Sequence, residues 1–233
     1  MPEDLNRVLV IVAHPDDAEF GAGGTLARWA REGREVFLAV TTNGDKGSSD
    51  PEMTSERLMR LREEEQREAA RVLGIREVVF LGYPDGFLED TPVLRRDVVR
   101  LIRFYRPDIV VTHNPYPGLR RFIQHRDHRV TGTVALDAVY PLARNRLMFP
   151  ELIAEGLEPH RVSEVYLTGS DDPDTWVDIS ETIHLKIAAL RCHRTQIGDP
   201  EDLDRRVREA ARQVGEPQGI PFAEAFRRIQ LRR

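Results

Sequence analysis

The run Val8-Leu9-Val10-Ile11-Val12 constrains the fold more than any other stretch of this chain. Consecutive β-branched and leucine side chains of this kind read as a buried parallel strand. The run stops at Ala13, and His14, Asp16 and Asp17 follow within four residues. A histidine and two carboxylates at the C-terminal end of a strand lie where open α/β sheets place their sites. These are also ligand types suited to zinc or a similar divalent ion. Pro15 lacks an N–H and has a fixed φ, so it bends the chain off the strand and fans the side chains apart. A second cluster, His125-Arg126-Asp127-His128, lies far downstream. Together the clusters supply three ligands and leave one position open, which is the catalytic rather than the structural arrangement.

Elements alternate along the rest of the chain. The pattern predicts strands at 7–12, 35–41, 77–81 and 108–112, with further strands at 162–167 and 176–179. Helices are expected at 25–32, 54–73, 92–105 and 126–142, then at 181–193, 201–213 and 221–230; Gly33 and Gly74 serve as stops. The fold class is therefore α/β, a Rossmann-like three-layer arrangement with a mostly parallel sheet. The polar clusters at 14–19, 42–50, 82–86 and 113–128 fall just after strands, so the metal site belongs at the carboxyl edge of the sheet. No linker of Gly, Ser and Pro divides the sequence, and residues 1–233 read as one domain. Gly21-Ala22-Gly23-Gly24 lacks the spacing of a dinucleotide-binding turn, and strand two ends Val40-Thr41-Thr42-Asn43 without an acidic residue, which argues against NAD. These glycines are expected at a helix start packed close to the metal loop.

Composition narrows the class of partner. Arginines are numerous but interleaved with glutamates, as in Arg60-Leu61-Arg62-Glu63-Glu64-Glu65, and the net charge is -5. Solvated helix faces fit this pattern better than a nucleic-acid stripe. No apolar run approaches the roughly 20 residues of a membrane span. The start, Met1-Pro2-Glu3-Asp4, does not read as a signal peptide. Cys192 is the sole cysteine, which leaves no intrachain disulfide and no Cys-based zinc site. A cytoplasmic location follows as the expectation.

Ala13-His14-Pro15-Asp16-Asp17-Ala18-Glu19, with the later His125-x-Asp127-His128, resembles the LmbE/PIG-L group of zinc-dependent de-N-acetylases. The resemblance implies a metal held by His14, Asp17 and His128, with Zn2+ as the ion and Fe2+ or another divalent ion as alternatives. It makes Asp16 the general base and acid, beside a water whose pKa the ion lowers. It places His125 at the substrate carbonyl as an imidazolium that stabilises the oxyanion, with Asp127 holding it charged. Glu19 either hydrogen-bonds a metal-bound histidine or is a first-turn helix carboxylate. Arg62 and Glu65 resemble the family's Arg-x-x-Glu, so Arg62 reaches a sugar hydroxyl or charged aglycone, or else is an exposed helix arginine. Asp85 in Tyr83-Pro84-Asp85-Gly86 is a sugar-hydroxyl acceptor or a turn residue. Asn43 and Asn114 stand on site-facing loops or form turns only, and His113 is left outside the metal set. His193-Arg194-Thr195-Gln196 resembles the family's C-terminal segment and borders the pocket or makes subunit contacts.

By this resemblance the chain hydrolyses the N-acetyl group of an N-acetylglucosamine conjugate of the malate, inositol or chitooligosaccharide type, releases acetate and forms homo-oligomers. Two alternatives remain: a related zinc amidase acting on a larger acyl group such as a thiol-conjugate amide, and a non-catalytic sugar-binding protein. The loop 115–125, with Tyr116, Leu119, Arg120, Arg121 and Phe122, would decide the first by its width.

Overall fold

The computed structural model describes residues 5–116, 124–198 and 200–231; the loop residues Leu119, Arg120, Arg121 and Phe122 lie outside them. Strand β1 (Arg7–Val12) is the middle one of the five parallel strands, and its side chains alternate between two cores. Val8, Val10 and Val12 point into one apolar cluster, and Leu9 and Ile11 into the other. β1 pairs in parallel with β2 (Glu35–Thr42) on one side and β4 (Ile109–His113) on the other. β3 (Glu77–Tyr83) extends the sheet beyond β2, and β5 (Glu164–Thr168) extends it beyond β4.

The helices between these strands cover both faces, because parallel neighbours need crossovers. α1 (Asp17–Arg31) and α2 (Ser55–Leu73) close the Val8/Val10/Val12 face. α3 (Pro92–Tyr105) and α4 (Arg126–Val139) close the other. A short α5 (Pro150–Ala154) follows, then β6 (Thr175–Asp178), α6 (Ile183–Leu190) and α7 (Pro200–Gly215). The result is the three-layer α/β architecture that the alternation implies.

Two expectations are corrected here. Residues 221–230 are not a helix: Ala223–Gln230 form strand β7, wedged antiparallel between β5 and β6 in the order β3-β2-β1-β4-β5-β7-β6. Ala and Glu favour a helix in isolation, and tertiary pairing overrides that preference. Phe226 is fully buried and meets Tyr166 edge-on at 5.6 Å.

The first helix begins at Asp17, not Thr25, so Gly21, Gly23 and Gly24 lie inside it. A Cβ on Gly24 would fall 2.7 Å from two carbons of Ile179, and one on Gly23 would fall 3.3 Å from the Lys186 stem. The glycines therefore let β6 and α6 approach the helix. At the same place Glu224 of β7 accepts the N–H groups of Gly24 at 3.0 Å and Thr25 at 2.8 Å. Lys186 Nζ sits 2.6 Å from Glu224 and donates to Phe20 O at 2.8 Å. Both side chains of this ion pair are buried. Removing one partner of a buried pair leaves the other charge without compensation. Glu224→Ala is thus expected to destabilise the fold by about 3–5 kcal/mol, with a smaller loss in Glu224→Ala/Lys186→Met, as read from urea midpoints.

Candidate active site

The two motifs meet at the carboxyl ends of β1 and β4. His14 leaves the end of β1, Asp17 opens α1, and His128 projects from the first turn of α4. His14 Nδ1 is 3.2 Å from His128 Nε2 and 3.4 Å from Asp17 Oδ2, while His128 Nε2 is 3.1 Å from Asp17 Oδ1. Donors bound at about 2.0–2.1 Å around one tetrahedral ion stand roughly 3.3–3.4 Å apart. The three side chains therefore converge as a ligand set would.

Electrostatics around His14 fit the same purpose. Its far nitrogen, Nε2, pairs with Asp85 Oδ1 at 3.0 Å and lies 3.4 Å from Asp127 Oδ2. A carboxylate partner on that nitrogen leaves the Nδ1 lone pair facing His128 and Asp17, the arrangement by which proteins aim a ligating imidazole. Burial opposes charge on His14, yet Asp127, Asp17 and Asp85 together push its pKa up to about 11. An imidazolium is how the protein alone balances three carboxylates, and a divalent cation on Nδ1 would replace that proton. Burial would raise Asp17, but His113, His128 and His14 hold it well below the usual carboxylate range. Deprotonated carboxylate and cation-hungry imidazole are what a divalent metal requires.

Asp16 sits between His14 and Asp17 with φ +93°, an unusual backbone for a residue other than glycine. Such conformations cost about 1–3 kcal/mol and persist only where the surroundings enforce them. Its carboxyl is pushed up to about 7, mainly by burial and then by the Asp17 charge, against the pull of Arg62. A carboxylate titrating there can accept and return a proton near neutral pH.

His125 caps α4, with its Nδ1 accepting the Asp127 backbone N–H at 3.1 Å. Burial, with the neighbouring His14, pulls its pKa down. The Asp127 charge pulls the other way. The Asp127 carboxylate lies 3.4 Å from His14 Nε2 and accepts the Gly86 N–H at 2.7 Å. With Nδ1 accepting, Nε2 is the ring position left to donate to an oxyanion.

The residues expected to touch substrate divide three ways. Arg62 is 4% exposed, and its guanidinium donates to Pro15 O at 2.7 Å, Gly44 O at 2.9 Å and Asp16 Oδ2 at 3.3 Å. It holds the metal loop rather than facing out. Asp85 is engaged by His14 through one oxygen and accepts the Lys46 N–H at 3.3 Å through the other. Asn43, just past β2, keeps a buried Oδ1 with no partner among the described residues.

Glu19 is a first-turn carboxylate of α1 and is fully buried; it accepts from Gln66 at 2.8 Å and lies 3.3 Å from His193. Glu65 takes Thr195 N and Oγ1, which ties the 193–196 segment to α2. Asn114 Oδ1 accepts the Tyr116 N–H at 3.0 Å and is a turn former. His113, left outside the metal set, lies beside the centre. Its ring stacks on His128 at 4.1 Å and 4°, and its Nε2 accepts the Ala13 N–H at 3.1 Å. That nitrogen also lies 3.3 Å from Asp17 Oδ2, so Asp17, His113 and His128 form a second set of donors close enough to hold an ion. Its place at the end of β4, the strand beside β1, was the available signal.

Residues 9–139 match the PIG-L family, described as GlcNAc-PI de-N-acetylase. The chain is 33% identical over 231 residues to a diacetylchitobiose deacetylase of Thermococcus kodakarensis, covering 96% of this chain and 83% of that protein. It is 28% identical over 195 residues to a probable N-acetyl-alpha-D-glucosaminyl L-malate deacetylase 2 of Bacillus anthracis, covering 82% and 81%. Among solved structures, the N,N'-diacetylchitobiose deacetylase from Pyrococcus horikoshii, complexed with its inhibitor, superposes with a TM-score of 0.91 at 31% identity, covering 98% of this chain and 85% of that one.

Proposed function

Because this chain belongs to the PIG-L de-N-acetylase family, we propose that it is an amide hydrolase that removes the N-acetyl group from an N-acetylglucosamine unit and releases acetate. A short chitooligosaccharide is the substrate we favour, since the diacetylchitobiose deacetylases are similar to the chain over nearly its whole length. The observation that carries the reading is the convergence of His14 Nδ1, Asp17 and His128 Nε2 beside a carboxyl poised near 7.

His14, Asp17 and His128 would hold a single divalent ion, Zn2+ by the nature of two imidazoles and one carboxylate, with Fe2+ as the alternative. Bound there, the ion would polarise the acetamide carbonyl and acidify a nearby water. Asp16 takes the proton from the attacking water as the C–O bond forms. It later delivers that proton to the amine nitrogen as the C–N bond breaks. His125 donates its Nε2–H to the oxygen that becomes negative. Asp127 and Asp85 keep His14 aimed, and Asn43 Oδ1 offers an acceptor to a sugar hydroxyl.

No described helix is long and apolar enough to cross a membrane. We place the protein in the cytoplasm, as a homo-oligomer; fractionation and light scattering test these two points. The reaction is tested by free-amine release from N,N'-diacetylchitobiose, N-acetylglucosaminyl malate and N-acetylglucosaminyl inositol. Release that stops on chelation and returns with one equivalent of Zn2+ is expected, with the disaccharide turned over fastest. A protein that binds the ion and releases amine from none of them is not this enzyme.

A further inference from the structure

Helix α2 presents two side chains one turn apart, Arg62 and Gln66, to the same peptide unit of the metal loop. Arg62 Nη2 donates to Pro15 O at 2.7 Å, and Gln66 Oε1 accepts the Asp16 N–H at 3.0 Å. That carbonyl and that N–H are the two ends of one peptide bond. Both of its polar groups are thus gripped by α2. The grip is itself anchored. Gln66 Nε2 donates to Glu19 at 2.8 Å, and Arg62 also holds Gly44 O, where any Cβ would fall 2.3 Å from the guanidinium.

The peptide needs such a hold because it is turned the unfavourable way. Asp16 stands at φ +93° and ψ -24°. Rotating the Pro15–Asp16 plane by about half a turn would bring φ to about -90°, in an ordinary region for any residue. Pro15 has a fixed φ, so this relaxation runs through its ψ alone. It would reverse the carbonyl and the N–H, and both bonds to α2 would have to break. A turn about the Asp16 N–Cα bond that the Pro15 ψ does not fully compensate would swing the Asp16 side chain off its present line.

We infer that Gln66 is a positioning residue for the general base: it locks the Pro15–Asp16 peptide and so aims the Asp16 carboxylate. The inference rests on the deacetylase reading for the role of Asp16. Gln66 itself is fully buried and takes no part in binding substrate. Only an amide serves here, since the side chain must accept from Asp16 and donate to Glu19. Glutamate would set a second carboxylate against Glu19. Methionine would fill the volume and supply neither bond.

The test compares Zn2+-loaded wild type with Gln66→Met, and with Gln66→Asn, which stays polar but lacks reach. Each variant is expected to keep one Zn2+ per chain and an unchanged circular dichroism spectrum. Its kcat should fall by roughly 10²-fold, as misplacement of a reacting group by about 1 Å can cost. KM should stay within about twofold, because ground-state binding is untouched. In an Asp16→Asn background the same substitution should cost nothing further, since the two act as a unit. Exchange of the Asp16 amide hydrogen, slow in wild type, should become fast. Wild-type kcat with unchanged exchange in both variants would overturn the inference, as would a kcat loss equally large in the Asp16→Asn background. Should wild type release no amine, the deacetylase reading fails, and the Asp16 exchange rate alone decides whether Gln66 holds the peptide.

Discussion

Asp16→Asn is expected to retain the metal and the fold while kcat falls by about 10²–10⁴-fold, the range for loss of general acid–base catalysis. The amide matches the carboxylate in shape and still accepts from Arg62, so the loop should stay in place. What it lacks is the ability to take a proton from water and return it to the amine. The pH profile sharpens the result. With the carboxyl near 7 in the protein alone, it is protonated and idle as a base below that value. Activity in wild type should therefore rise with pH along an acid limb. A bound cation lowers the position of that limb, because nearby positive charge favours the carboxylate. The residual activity of Asp16→Asn should show no such limb. A variant with near-normal turnover and an intact limb would assign the base elsewhere.

His128→Ala should do what Asp16→Asn does not, which is lose the ion. It removes one of three converging donors and also the ring on which His113 stacks. Deacetylation is expected to fall to background at micromolar Zn2+, with less than one ion per chain in a metal analysis. Excess Zn2+ should restore little, since two donors remain. Affinity in wild type should weaken as pH falls, because the ion competes with a proton for His14. Asp85→Asn is the milder relative: it loosens the partner of His14, and a loss of about 10–100-fold in affinity is typical of such changes. Isothermal titration with Zn2+ at two pH values separates the three proteins.

Much of this site was legible in the sequence because its parts are local. A five-residue apolar run ending in His-Pro-Asp-Asp places two donors and a carboxylate within one turn of chain, and no distant contact is needed to bring them together. His128 could be added only through the resemblance, since nothing in residues 14 and 128 alone declares that β1 and β4 are neighbours. The contacts of Arg62, Asp85 and Asp127 were hidden for the same reason. A buried arginine that serves carbonyls at Pro15 and Gly44 looks like any other arginine in a charged helix. The C-terminal strand was hidden by composition: Ala-Glu-Ala-Phe-Arg-Arg suits a helix until β5 and β6 offer it two ladders. The mid-helix glycines misled in the opposite direction, since they break helices in general and here make room for Ile179.

The contact between Glu224 and Thr25 joins residues 199 apart in sequence. Contacts of such separation slow folding, because the loop must close before the bond rewards it. During synthesis, Asp17 and the helix that carries it leave the ribosome long before Glu224 is made. Lys186 likewise emerges first and must wait for its counter-charge. The nascent chain therefore holds both metal-binding motifs while α1 still lacks its anchor to β7. Translation thus supplies the anchor after the donors, and the helix that carries Asp17 acquires this fastening only once β7 has been made.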